Sequence, residues 1–364
     1  MSLPRVSRTT LFAIFTLLLL TPSASQAQDL GGSGGQVGRI EGSYKIIPLP
    51  YFNYNRSIGA SFGALPMVMF NPVEKDTISP SSVAGLLGMY STNKTWFALA
   101  FARMHLKEDD WRLTGAGGAG SINFQFYLDN PINIWIPYNT QAGFAFAKVE
   151  RRLFGRVYGG VSYIYTRFQN TTEVAPDTTV TTTLNGIGLN ASMDTRSNVY
   201  YPRTGFLTNV EYFTYPEAFG NEVESNTVDL DYNHYWSTRA DTDVIAARAY
   251  AGLGIGDLSF NQQYVLGRRS DIRGYTQGAH RGNYLVAFQG EYRWNIYGRW
   301  GAVGFGGLAT VFEGINESDN GRIFPGAGVG VRFTAFEDSH MNVGLDFAVG
   351  EGDWGLYFRI GEAF

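Results

Sequence analysis

Met341-Asn342-Val343-Gly344-Leu345-Asp346-Phe347-Ala348-Val349-Gly350 sets the period of this chain. Its odd-numbered positions are Met, Val, Leu, Phe and Val and its even-numbered ones Asn, Gly, Asp, Ala and Gly, so a backbone of period two presents one apolar and one small or polar face. The neighbouring stretches repeat the pattern. Trp354, Leu356, Phe358 and Ile360 oppose Gly355, Tyr357, Arg359 and Gly361, and Val329, Val331, Phe333 and Ala335 oppose Gly328, Gly330, Arg332 and Thr334. A soluble β-sandwich also alternates, but it does not need so many consecutive ten-residue strands with Gly, Arg and Asp opposite the apolar face. A barrel with lipid outside and a wet lumen inside does.

Working back from Phe364, strands are expected near 352–364, 339–350, 324–336, 300–313 and 283–296, then 242–255, 225–238, 204–217, 181–194, 157–170, 139–153, 111–127, 95–107, 82–93, 57–70 and 44–55. The fold class is therefore all-β: a transmembrane antiparallel β-barrel of about 16 strands, with a long inward-folding loop argued below. Short connections (Tyr297 to Arg299, Glu337-Asp338, Lys107 to Asp110, Leu153 to Arg156) fall on one side, and longer ones (Asn170 to Val180, Pro216 to Ser225, Gly314 to Ile323) on the other. That asymmetry is the one expected between periplasmic turns and outer loops. An even strand count places both ends in the periplasm. The short first outer turns and the long Asn71 to Ser82 connection depart from the rule.

The start of the chain supports export. Arg5 and Arg8 precede an apolar run from Leu11 to Leu20, and Ser25-Gln26-Ala27 supplies small residues at the cleavage positions, so residues 1–27 read as a secretory signal peptide. Residues 28–43, opening Asp29-Leu30-Gly31-Gly32-Ser33-Gly34-Gly35, read as a flexible Gly-rich leader, and 44–364 as the barrel. No stretch has the roughly 20 apolar residues that a membrane-spanning helix requires. Without Arg5 and Arg8 the formal charge moves from −4 to about −6, which argues against nucleic acid as a partner. Zero cysteines exclude disulfides and thiolate metal sites. Forty-five glycines, 22 tyrosines and 26 phenylalanines with 16% charged residues suit aromatic strands joined by many turns.

The longest connection, from about Gly256 to Arg281, contains Leu266-Gly267-Arg268-Arg269-Ser270-Asp271-Ile272-Arg273-Gly274-Tyr275. Arg273-Gly274-Tyr275, followed by about ninety residues of alternating strands ending on Phe364, resembles the Arg-Gly-Tyr/Phe signature of the BamA/TamA (bacterial surface antigen) superfamily of outer-membrane barrels. The resemblance implies that this loop folds into the lumen and docks its Arg on acidic residues of the inner wall. Glu291, which faces inward with Gln289 and Arg293, matches the acidic partner. The family's Phe-x-Asp-x-Gly is here Phe305-Gly306-Gly307-Leu308-Ala309, so a second carboxylate is missing there; either Glu291 serves alone or Asp346 substitutes. Arg268 stands where a second glycine is expected. Asp194-Thr195-Arg196 with Pro202 and Gly205 resembles a periplasmic turn of the same superfamily. Phe358, Ile360 and Phe364 resemble the terminal sorting signal read by barrel-assembly machinery, with Glu362 interrupting it.

Some sixteen residues between Gln28 and Tyr44 leave no room for a POTRA domain, so the expectation is a POTRA-less branch. Gly31 to Gly35 spells a hydrolase elbow without the flanking strand and helix, and Gly115-Ala116-Gly117-Gly118-Ala119-Gly120 spells a dinucleotide fingerprint that opens no helix. His105, His234, His280 and His340 lack ligand spacing. The expectation is no enzyme, no cofactor and no metal. The partners expected are outer-membrane lipid and, during biogenesis, the barrel-assembly machinery. The function implied by resemblance is assisted insertion or translocation of protein or lipid in the outer membrane of a Gram-negative-type envelope. A passive or gated pore, with the Arg273 loop constricting the lumen, is the alternative.

Overall fold

The computed structural model describes residues 43–55, 58–128, 134–172, 175–198, 201–239, 241–267, 271–276, 278–336 and 340–364. The leader calls on 1–27 and 28–42, the Gly31 to Gly35 match and Arg268 lie outside the described residues.

Sixteen antiparallel strands close into one barrel. They are β1 (Tyr44–Asn55), β2 (Gly59–Phe70), β3 (Ser82–Ser91), β4 (Trp96–Leu106), β5 (Trp111–Leu128), β6 (Ile134–Phe154), β7 (Val157–Thr172), β8 (Ala175–Asp194), β9 (Gly205–Tyr215), β10 (Ser225–Thr238) and β11 (Asp243–Gly256), then β14 (Tyr284–Tyr297), β15 (Trp300–Phe312), β16 (Phe324–Phe336), β17 (Met341–Gly350) and β18 (Asp353–Ile360). Two short strands, β12 (Tyr264–Val265) and β13 (Arg281–Gly282), pair with each other inside the connection from β11 to β14. Each barrel strand pairs with its sequence neighbours, and β1 meets β18 to close the ring.

The alternation read from the sequence decides which face is which. Leu345 and Phe347 are 38% and 43% exposed, while Asp346 and Ala348 beside them are both at 0%. Phe288, Val329 and Val331 extend the same outward apolar belt, which in water would be an aggregating surface and in lipid is the stable one.

Three expectations are corrected. The outer connection expected from Asn170 to Val180 is strand up to Thr172 and again from Ala175, with Thr171 paired to Thr179, because a run of β-branched threonines extends the ladder. The last strand ends at Ile360 rather than 364. Gly361, at φ +78°, turns the chain, and Phe364 packs with Tyr235, Val244 and Ala246.

The third correction concerns the lumen, which is not uniformly polar. Facing inward from β1 to β9, Leu49, Leu65, Met67, Leu87, Met89, Phe97, Phe101, Phe144, Phe146 and Phe168 form one buried apolar cluster that takes in Phe260 and Val265 of the long connection. Each such side chain withdrawn from water contributes roughly 1.5–3 kcal/mol. Buried charges share that face on β4 to β9 (Arg103, Arg112, Lys148, Glu150 and Glu211), and the inner face of β11 and β14 to β18 carries Arg248, Gln289, Glu291, Arg293, Arg332, Asp346 and Arg359, all buried.

Candidate functional site

The long connection brings Arg273 to the charged half of the inner wall. Gly256, at φ +87°, ends β11, and the β12–β13 pair is extended by Leu266 N–H donating to His280 O at 2.9 Å. Beyond it, Gly267 N–H donates to Asp271 Oδ2 at 2.8 Å. Ile272 and Tyr275 then pack with Tyr250, Leu285, Val311 and Phe324 of the wall. Gly274 sits between them at φ +108°, a conformation L side chains rarely adopt, and a Cβ there would lie 2.6 Å from Val349 C. Its N–H donates to Tyr357 Oη at 3.0 Å. Tyr275 Oη donates to Pro325 O at 2.6 Å and accepts from Glu351 N–H at 3.1 Å, while Thr276 N–H donates to Asp353 Oδ2. Farther back, Arg281 lies over the Phe260 ring at 3.4 Å, and His280 Nδ1 pairs with Asp319 Oδ2 at 2.9 Å in the next outer connection.

Both carboxylates considered from the sequence contact Arg273. Nη1 donates to Asp346 Oδ2 at 2.8 Å and Nη2 donates to Glu291 Oε1. The guanidinium also stacks on Phe305, 3.4 Å from its ring centre. Asp346 accepts in addition from Arg332 Nη1 at 2.5 Å and from Arg359 Nε, and Glu291 Oε2 accepts from Arg293 Nε at 3.0 Å. Glu362 accepts from Arg332 Nε at 3.0 Å and from Asn342 Nδ2 at 2.7 Å. Arg273, Arg293, Arg332 and Arg359 thus share Glu291, Asp346 and Glu362. Buried charges persist only when paired and hydrogen-bonded in this way.

Sequence reasoning missed Arg332, Arg359 and Tyr357 as members of this site. The signal was there: the alternation that puts Asp346 inward also puts these three on the same face. It missed too that the middle of the inner face of β16, between Phe324 and Arg332, carries no side chains. A Cβ on Gly326 would meet Arg273 O at 2.6 Å, one on Gly328 the Phe305 ring at 2.4 Å, and one on Gly330 Asp346 Oδ1 at 2.1 Å. Three glycines two apart leave the trough in which loop tip, ring and carboxylate lie.

The other expected residues fall elsewhere. Arg196 donates Nε and Nη2 to the two oxygens of Asp194, each at 3.0 Å, where β8 leaves the barrel. Gly205, at φ +91°, lies close against Thr195. Phe358 is half-buried, the Ile360 side chain lies outside the described residues, and the Phe364 ring is approached by the guanidiniums of Arg293 and Arg248 at 5.7 and 5.9 Å. Gly115 to Gly120 lie within β5.

A second polar cluster closes the end of the barrel where Tyr44 and Phe364 lie. Asp109, in the turn between β4 and β5, accepts from Arg112 Nε at 3.0 Å and Nη2 at 2.6 Å and from Tyr158 Oη at 2.7 Å, and pairs with His105 Nδ1 at 2.6 Å. Burial works to raise its pKa, but the bonds from His105 and Arg112 outweigh it and hold the carboxyl well below its ordinary range. Asp76, in the connection from β2 to β3, accepts from Ser79 Oγ at 2.6 Å and from the N–H groups of Ser79, Glu108 and Ile78. These bonds overcome the opposing effect of burial and bring it down to about 2.

The model of the Omp85 superfamily domain matches residues 83–364. Three solved structures share the fold. BamA from Haemophilus ducreyi lacking POTRA domains 1–3 aligns with a TM-score of 0.59 at 12% identity, covering 88% of this chain and 70% of that one. CdiB from Escherichia coli gives 0.62 at 12% identity, and CdiB from Acinetobacter baumannii 0.60 at 13%. Each CdiB alignment covers 88% of this chain, which spans 60% of the other. No curated protein matches the sequence.

Proposed function

Because the chain belongs to the Omp85 superfamily, we propose that it is an outer-membrane barrel of a Gram-negative-type envelope that assists insertion or translocation of protein or lipid. The role is non-catalytic. Its partners would be outer-membrane lipid and, while it is being made, the barrel-assembly machinery. The end holding Tyr44 and Phe364 would face the periplasm.

The observation that carries the reading is the seam. Among the described residues β1 and β18 meet at one register pair, Tyr54 with Leu356, whereas β18 is joined to β17 over eight, from Val343–Ile360 to Gly350–Asp353. Few shared hydrogen bonds make this junction the least costly place to part the wall. The Arg273 network, anchored on β14, β15 and β17, then fixes the strands on one side of it while the other side moves. The apolar cluster on the inner face of β1 to β9 also favours a greasy cargo over bulk water.

A gated pore is the second reading, supported by the charged inner face from β11 to β18. One pair of experiments separates the two. The chain has no native cysteine, so Tyr54→Cys with Leu356→Cys gives a reversible lock on the seam. Insertion or translocation predicts that oxidation abolishes function in cells and that deletion of the protein lowers other outer-membrane proteins or lipopolysaccharide. A pore predicts steady conductance in a planar bilayer that the lock leaves unchanged, with no assembly phenotype.

A further inference from the structure

At the end of the barrel that holds Tyr44 and Phe364 there is a recess of about 80 Å³, lined among others by Tyr201, Arg203, Arg293, Arg299, Arg332 and Glu362. One water needs roughly 10–15 Å³ by this measure, so a group of several heavy atoms fits. Arg273 is not among the lining residues.

Two of these arginines are clamped on two nitrogens and leave the third. Arg293 spends Nε on Glu291 Oε2 at 3.0 Å and Nη2 on the main-chain oxygen of Phe364 at 2.6 Å, and its Nη1 has no hydrogen-bond partner. Arg332 spends Nε on Glu362 at 3.0 Å and Nη1 on Asp346 at 2.5 Å, and its Nη2 has none. Both side chains are buried, at 2% and 4%. Arg203 Nε is likewise buried without a partner. Native structures rarely leave buried donors unanswered, and a cationic one is the most costly to leave so.

We infer that this recess binds a phosphate group. Three different arginines that each carry an unpartnered N–H donor line one recess, with Arg299 and the exposed His340 also on its lining. A tetrahedral oxyanion offers three or four acceptor oxygens to such a set, and a carboxylate only two. Guanidinium forks suit phosphate geometry, and their charge does not titrate in the working range. Among the described residues four arginines line the recess against one carboxylate, Glu362, whose oxygens are already engaged by Arg332 and Asn342. The shared chemistry is a phosphate, carried either by a lipid headgroup or free in solution.

The test uses the detergent-solubilised full chain in phosphate-free buffer, titrated calorimetrically with inorganic phosphate, with dihexanoyl phosphatidic acid and with acetate. The expected result is saturable one-site binding of at least one phosphate compound. It should be at least about tenfold tighter than acetate and weakened at least about tenfold by Arg203→Gln, which leaves the Glu291–Asp346–Glu362 contacts intact. Tighter binding of phosphatidic acid assigns a lipid headgroup, and tighter binding of inorganic phosphate assigns the free ion. Failure of both to saturate, equal binding of acetate, or binding unchanged in Arg203→Gln overturns the site. Should that variant not fold, the thermal midpoint of the unmodified chain in phosphate and in chloride of equal ionic strength decides: a phosphate-specific rise supports the site, and identical midpoints overturn it.

Discussion

The guanidinium carbon of Arg273 lies over the ring of Phe305, 3.4 Å from its centre, with Glu291 and Asp346 bound to its nitrogens. The ring covers one face of the cation and the carboxylates take its N–H groups, so the loop tip is held by stacking and by charge together. Gly307, two residues after Phe305, stands where the resemblance would have a carboxylate. Asp346 supplies that charge from β17, reaching Arg273 across the glycine trough of β16.

Asp346→Ala is expected to destabilise the site more than Arg273→Ala. Without Arg273, Glu291 keeps Arg293 and Asp346 keeps Arg332 and Arg359, whereas loss of Asp346 strips an acceptor from three guanidiniums at once. Removing one partner of a buried pair costs roughly 3–5 kcal/mol, with Arg273→Ala toward the lower figure. Thermal unfolding in detergent and protease cleavage between residues 257 and 283 measure both. Exchanging the charges, Arg273→Glu with Glu291→Arg, should recover only part of the loss, because the new Glu would face Asp346.

Gly274→Ala should release the loop tip and Gly328→Ala should displace Phe305. The first forces a side chain into a positive-φ position 2.6 Å from backbone, and the second sets a methyl 2.2 Å from Phe347 O and 2.4 Å from the Phe305 ring. Each should lower the midpoint of unfolding and expose the 257–283 segment to protease. Gly304→Ala, on the outer face with nothing within 4 Å, should leave both readouts unchanged.

The connection from β2 to β3 should loosen in acid. Asp76 is held at about 2, below the unfolded value of roughly 3.9. Its contribution is therefore complete above about pH 5 and is lost as pH falls through about 2. Protection of the Ile78, Ser79 and Glu108 amides, as exchange relative to the intrinsic rate at each pH, should fall across that window, and Asp76→Asn should show low protection already at neutral pH. Protection in the unmodified chain that stays constant between pH 5 and 2 would refute this.

Phe364→Ala should lower both outer-membrane yield in cells and the thermal midpoint of protein refolded in detergent. The ring packs with Tyr235, Val244 and Ala246 and faces Arg293 and Arg248, so its loss opens a gap at the barrel mouth. Aromatic-to-Ala changes at fully buried sites cost roughly 3–5 kcal/mol, and less at a rim. A fall in cellular yield with an unchanged midpoint would assign Phe364 to sorting alone.

The barrel, its strand count and the outward or inward sense of the last strands were legible in the sequence, because a period of two leaves a side chain only two faces to choose from. The same alternation turned Glu291 and Asp346 inward, whereas Arg273 and its docking on an acidic wall were named from the family resemblance. Which carboxylate Arg273 would meet could not be read, since a choice between residues 18 and 73 positions away depends on how far the loop reaches across the lumen. The glycine trough of β16 was invisible too: a glycine in a strand looks alike whether it turns, packs or makes room. The apolar cluster inside β1 to β9 escaped because stretches that are apolar on both faces lose the contrast that alternation depends on. Closure of the ring decided those matters, by bringing together inner faces that no local pattern relates.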